Sequence, residues 1–259
     1  MQPDYSHLTE VPGSKASEDQ LRRMFTRYRF AAGHCREKDT LEVACGGGQG
    51  LALITKNARS VVAGDFTQDL LRRAKAHYGS TVKLCRLDAQ ILPFRDGMFD
   101  VIIFYEALYY LERPETFFEE CRRVLRPGGK VLMSWPNRSL PDFHSSPLSY
   151  HYYTPPELRH LMSREGFQLD FYGDAPMDNP SMLYRSLSLL KRFIVKFRLM
   201  PGTLKGREFL KRIVYGRLWA IPNELTEDLF DYIPPQPLST DVPDYRFRVL
   251  YAVARIDKA

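Results

Sequence analysis

Leu41-Glu42-Val43-Ala44-Cys45-Gly46-Gly47-Gly48-Gln49-Gly50 is a short apolar strand with an acid inside it, running straight into a glycine-dense turn. Small residues let the backbone pass close to a ligand without a Cβ in the way, and glycines adopt dihedrals that other residues avoid. The pattern predicts a nucleotide-like ligand at the turn. A dinucleotide fingerprint, G-x-G-x-x-G, would need glycine where Leu51 stands, and a Walker loop would need a following Gly-Lys-Ser/Thr that is absent.

What remains is acid-x-small-x-G-x-G, with Glu42, Ala44, Gly46 and Gly48 in those places. This resembles the signature of class I S-adenosylmethionine-dependent methyltransferases, in the small-molecule branch typified by methyltransferase domain 11. In that family the loop cradles the methionine half of the cofactor, whose sulfonium and ammonium are cationic, so a carboxylate in the strand suits it. Ala44 is a departure, since many relatives carry glycine there, and it bears only on how closely the cofactor approaches.

The residues that follow extend the resemblance. Val61-Val62-Ala63-Gly64-Asp65 is a second apolar strand ending in an acid, where an α/β sheet places a carboxylate on the ribose hydroxyls. A third strand, Val82 to Ala89, carries Asp88 near its end, and Phe99 to Phe104 reads as a fourth. The resemblance implies that Asp88, with Ala89 beside it, faces the adenine amino group and that Phe66 covers the adenine ring. Arg123 to Met133 then reads as helix end, Pro-Gly-Gly stop and fifth strand. Upstream, Arg27-Tyr28-Arg29-Phe30 resembles the segment that reaches the cofactor carboxylate in relatives, through Arg27 or Tyr28, with a solvated arginine as the alternative.

Periodicity gives the remaining elements. Leu21, Met24, Phe25, Tyr28 and Ala32 predict a helix over 18–33, and further helices are expected over 49–57, 67–78 and 114–124. Thr154-Pro155-Pro156-Glu157 predicts a capped helix leading to Gly166, then a sixth strand over 167–171 and an antiparallel seventh over 245–256. The fold class expected is therefore α/β: a doubly wound, seven-stranded, mostly parallel sheet of the Rossmann-like methyltransferase type.

At 259 residues the chain is most simply one domain, with residues 1–17 a mobile arm, 18–259 the domain, and 174–244 a basic, mostly helical insertion or lid between strands six and seven. From Ser181 to Ala220 there are ten Lys or Arg and one acid, Glu208, a local balance of +9 against +6 for the whole chain. Leu183, Leu187, Leu190, Ile194 and Phe197 recur there at helical spacing. A structural cap, a lid over an anionic acceptor and a face for peripheral contact with an anionic membrane all fit that pattern. Cys35, Cys45, Cys85 and Cys121 form no C-x-x-C pair and read as reduced thiols of a cytoplasmic protein. No signal pattern, membrane-length apolar run or metal-ligand spacing is evident, so neither export nor a metal is expected.

The resemblance implies methyl transfer from S-adenosyl-L-methionine to a small-molecule acceptor, with a hydroxyl of a sugar or natural-product intermediate as the expected target. Methylation of carbon, nitrogen or a lipid-linked acceptor is the alternative, as is a non-methylating binding protein or cyclase of the same fold. Nucleic acid is disfavoured: Phe104-Tyr105-Glu106-Ala107 replaces the Asp/Asn-Pro-Pro-aromatic of base-amino methylation, and no Pro-Cys occurs. A hydroxyl acceptor needs a general base titrating near neutrality. His144 and His151 are the candidates, because the segment after strand five overhangs the acceptor edge, whereas His7, His77 and His160 read as surface residues. Tyr105, Tyr109, Tyr110, Tyr150, Tyr152 and Tyr153 crowd that edge, with Tyr105 a candidate for both catalysis and cofactor contact.

Overall fold

The computed structural model describes residues 10–176, 217–239 and 244–256. Its frame is one sheet whose parallel strands are β2 (Asp39–Val43), β3 (Ser60–Asp65), β4 (Lys83–Arg86), β5 (Phe99–Tyr105) and β6 (Leu125–Pro136). β7 (Phe167–Pro176) and β10 (Phe247–Ile256) complete it as antiparallel strands, with β10 lying between β6 and β7. The strand order is β4-β3-β2-β5-β6-β10-β7-β9, so the seven strands expected are joined by an eighth, the two-residue edge pairing β9 (Gln236–Pro237). The order reverses beside β2, and in such sheets ligands bind outside the carboxyl ends of the strands at that reversal.

Alternation along β5 shows why the sheet is buried on both faces. Ile102 and Phe104 pack into one apolar layer with Phe117, Phe118 and Trp135, while Val101, Ile103 and Tyr105 point into the other with Phe25, Leu51 and Ile54. A strand covered on both sides has no polar face to offer, hence the unbroken run Val101-Ile102-Ile103-Phe104. The helices supplying the layers are α1 (Glu18–Cys35), α2 (Leu51–Thr55), α3 (Gln68–Tyr78), α4 (Pro114–Val124) and α5 (Pro155–Ser163). Ser17 caps α1 through a reciprocal box with Gln20, and Thr154 does the same for α5 with Glu157.

Three sequence expectations change. The Pro-Gly-Gly run is not a stop ahead of a strand: pairing starts at Leu125 opposite Phe99 and resumes at Lys130 opposite Val101, so Arg126–Gly129 bulge out of the ladder. Residues 15–17, expected in a mobile arm, form β1 (Lys15–Ser17) and pair antiparallel with β8 (Leu218–Ala220). The part of the insertion that is described carries β8 and β9 and no helix; the basic residues Lys191, Arg192 and Lys196 and the helical spacing around them lie outside the described residues, as does His7. No helix among the described residues is long and apolar enough to cross a membrane.

Candidate active site

The glycine turn is shaped by what packs behind it. Ala44 leaves β2 with a φ of 62°, and Gly46 and Gly48 follow at 57° and 84°, a left-handed run that swings the chain over the sheet edge. Asp65, at the end of β3, fastens the turn: its carboxylate accepts Gly46 N–H at 2.9 Å and Thr67 N–H at 2.8 Å. Burial pushes the Asp65 carboxyl above its ordinary range, against the pull of those N–H groups.

Two residues named for the cofactor stand behind the turn instead of lining it. Gly48 faces α2 and α3, where a Cβ would press on Leu51 of the first and on Tyr78 and Ala74 of the second at 3.0–3.2 Å, and its carbonyl accepts the Tyr78 hydroxyl at 2.9 Å. Glu42 is buried under the turn and accepts the Tyr28 hydroxyl at 2.7 Å. Neither lines the cavity; through these contacts they hold Tyr28 and the loop in place. Burial drives the Glu42 carboxyl up to about 7, Tyr28 opposing and Asp65 adding.

That shift sets a pH dependence. A carboxyl whose folded pKa lies above its unfolded value binds more protons when folded, so its contribution to stability is complete below the unfolded pKa and is lost as pH rises through the folded one. Stability is therefore expected to fall between pH 4.5 and 7, and Glu42→Gln should flatten part of that slope in urea titrations. Asp65 and Glu106 shift the same way, so some slope should persist in the variant; an unchanged slope would show that Glu42 is not the titrating group.

A cavity of about 630 Å³ runs from the glycine turn along the carboxyl edge of the sheet. Its first half is lined by Ala44, Gly46, Asp65, Phe66, Asp88 and Ala89, with Tyr28 and Arg27 contributed by α1. Arg86 lies 5.6 Å over the Phe66 ring, holding it at the wall. The second half is lined by Tyr105, Glu106, Tyr109, Tyr110, His144 and Tyr152. Tyr109 and Tyr152 stack at 4.3 Å and 17°, Tyr150 N–H bonds to the Tyr109 carbonyl at 2.8 Å, and the Tyr110 hydroxyl meets Ser146 Oγ at 2.6 Å. These contacts tie the segment after β6 to the turn after β5 and make one aromatic wall of two distant stretches.

Of the two histidines proposed as base, His144 lines the cavity and is exposed at its mouth. His151 does not reach it. Its Nε2 lies 3.2 Å from Arg138 and 3.6 Å from Glu157, and its ring packs on Tyr153 at 4.6 Å, outside the cavity. Tyr153 likewise turns away, its carbonyl accepting the Trp135 indole N–H at 2.7 Å.

Sequence reasoning missed Glu106 and Glu10. Glu106 follows β5 at a φ of 54° and accepts from Arg27 at 3.2 Å and from the Tyr109 hydroxyl at 3.2 Å. An acid directly after an apolar strand at the carboxyl edge was signal enough to find it. Glu10 had no local signal: it reaches the site because β1 is pinned by β8 and because its carbonyl accepts the Gln49 amide at 2.5 Å.

Comparison with known proteins agrees with this geometry. Residues 41–133 match the family model described as a methyltransferase domain. A probable S-adenosylmethionine-dependent methyltransferase of Mycolicibacterium smegmatis is 31% identical over 62% of this chain and 63% of its own length. A ubiquinone biosynthesis O-methyltransferase of Methylococcus capsulatus is 33% identical over 40% of this chain and 45% of its own. The chain thus spans 63% and 45% of the lengths of these two curated relatives. Among solved structures, the YcgJ protein of Bacillus subtilis superposes with a TM-score of 0.57 at 14% identity, over 92% of this chain and 100% of that one, a likeness of fold.

Proposed function

Starting from the class I S-adenosylmethionine-dependent methyltransferase family, to which this chain belongs, we propose that it transfers a methyl group from S-adenosyl-L-methionine to a hydroxyl oxygen of a small molecule. The observation that carries this reading is the unbroken cavity joining the glycine turn to the aromatic wall, since a two-substrate transfer needs both reactants in one enclosed space.

The residues fit the cofactor. Asp65 and Asp88 both line the first half, and each carboxylate oxygen of Asp65 keeps a lone pair beyond its backbone bond, suited to ribose hydroxyls. The Tyr105 hydroxyl is buried and has no hydrogen-bond partner among the described residues, as expected of a group awaiting a ligand. When bound, the cofactor supplies an electrophilic methyl on a sulfonium, so the protein has mainly to align the reactants and keep water out. Phe66 walls one end, and Tyr109 and Tyr152 wall the other. His144, which lines the cavity and is exposed, is the residue we assign to take the hydroxyl proton on a ring nitrogen and release it to solvent.

Asp65→Ala should weaken S-adenosylhomocysteine by about 1 to 3 kcal/mol, the range for bonds to a charged group, and should loosen the Gly46 turn as well. Calorimetry at fixed pH reads the first, and unchanged affinity would remove Asp65 from the site. Function is tested with methyl-labelled cofactor and a panel of hydroxyl, amine and carbon acceptors. Label on oxygen supports the proposal; label only on nitrogen or carbon would replace it by the alternative chemistry.

A further inference from the structure

The far end of the cavity is walled by rings whose polar groups are already engaged. The Tyr109 hydroxyl donates to Glu106 at 3.2 Å, the Tyr152 hydroxyl accepts Ser146 N–H at 3.0 Å, and the Tyr110 hydroxyl pairs with Ser146 Oγ at 2.6 Å. Three tyrosine hydroxyls therefore bond within the wall, and what it presents to a ligand is chiefly ring, with Leu111 and Pro136 beside it. A sugar carries a hydroxyl on nearly every carbon, and each one buried without a partner costs free energy. Such a wall suits it poorly.

A second observation is independent of those bonds. Tyr150 lines the same cavity and is 62% exposed, while its backbone N–H is fixed on the Tyr109 carbonyl at 2.8 Å. Its ring is thus held at the cavity with most of its surface in water, and a flat apolar ligand laid on it would cover that surface. The wall behind is braced: Tyr109 and Tyr152 lie within 17° of parallel, and Phe143 abuts Tyr152 edge-on at 4.7 Å. Rings fixed before binding lose little entropy when a ligand stacks on them. A histidine base fits the same ligand, because a phenol ionises at about pH 10 and an aliphatic hydroxyl only far above it, and a proton passes to a side chain more readily from the stronger acid.

We infer that the acceptor is a phenol: a planar aromatic ring that bears the reacting hydroxyl and stacks on the tyrosine wall, Tyr150 and Tyr110 foremost. Of the two acceptor classes expected from the sequence, a sugar and a natural-product intermediate, this keeps the second and narrows it to an aromatic one. The inference rests on the oxygen-methylation reading in treating this end of the cavity as the acceptor's.

The test separates ring stacking from plain hydrophobicity. 2-Naphthol, its saturated counterpart decahydro-2-naphthol and methyl β-D-glucopyranoside are titrated calorimetrically into the full chain in the presence of S-adenosylhomocysteine. The naphthol should bind about three- to tenfold tighter than the saturated alcohol, the range for one aromatic pair beyond its buried area, with the glucoside weakest. That preference should shrink in Tyr150→Leu and in Tyr110→Leu; the first replaces an exposed side chain, so it keeps the test valid should the second disturb the fold. Equal or tighter binding of the saturated alcohol or the glucoside, no binding of the naphthol, or a preference that survives both substitutions overturns the proposal. The naphthol preference with methyl label only on nitrogen or carbon in the acceptor panel would remove the oxygen reading and leave an aromatic acceptor; label on hydroxyls with no naphthol preference would remove this inference alone.

Discussion

Arg27→Met is expected to destabilise the protein by about 3 kcal/mol near pH 8, because breaking a buried ion pair leaves its partner charged and uncompensated. The Arg27 side chain is 11% exposed and that of Glu106 25%, so solvent screens the pair only slightly. Removing Arg27 takes away the largest of the interactions that lower the Glu106 carboxyl, whose folded pKa then rises further above its unfolded value. Stability of the variant should therefore be better preserved at pH 5 than at pH 8, because the loss grows as pH rises through that raised value. Urea unfolding at the two pH values checks this. Arg27→Met combined with Glu106→Gln should recover part of the loss at pH 8. An equal loss at both pH values, with no recovery in the pair, would mean that the deficit is lost packing and not charge.

Gly50→Ala should be nearly as damaging through a different cause. A Cβ at Gly50 would overlap the Tyr28 ring, which is fixed by the 2.7 Å bond to Glu42 and by edge contact with Tyr105 at 5.9 Å. Overpacking of this kind costs about 1 to 3 kcal/mol, and here the displaced ring also belongs to the cavity wall. Gly33→Ala is the internal control: nothing lies within 4 Å of the added carbon and the site is helical, so a gain of about 0.5 to 1 kcal/mol is expected. Thermal melts of the two variants should move in opposite directions. If Gly50→Ala melts like the wild type and binds S-adenosylhomocysteine as well, the packing of Tyr28 on the glycine turn does not shape the site.

The parts of the site that could be read from the sequence are those whose physics is local. Asp65 was legible because an acid ending an apolar strand beside a glycine turn has one direction to point, and it does fasten Gly46. The α4 span was legible from Pro114 at its start and the apolar spacing of Phe117, Cys121 and Val124. Gly48 misled because a glycine in a ligand loop can equally be required by what packs behind it, here Tyr78, Ala74 and Leu51. His151 misled because its environment is set by how the segment after β6 folds, which delivers it to Arg138 and Glu157. Glu10 was invisible, since the pairing of β1 with β8 and the Gln49 amide on its carbonyl, both contacts between stretches far apart in the chain, bring it to Arg27.

The most direct test of the cofactor reading is calorimetry of the purified protein with S-adenosylhomocysteine and, separately, with NAD. The glycine spacing, the Asp65 anchor and the acidic cavity together call for one-to-one binding of S-adenosylhomocysteine and none of NAD. Binding of NAD with no response to S-adenosylhomocysteine would contradict the account at its root.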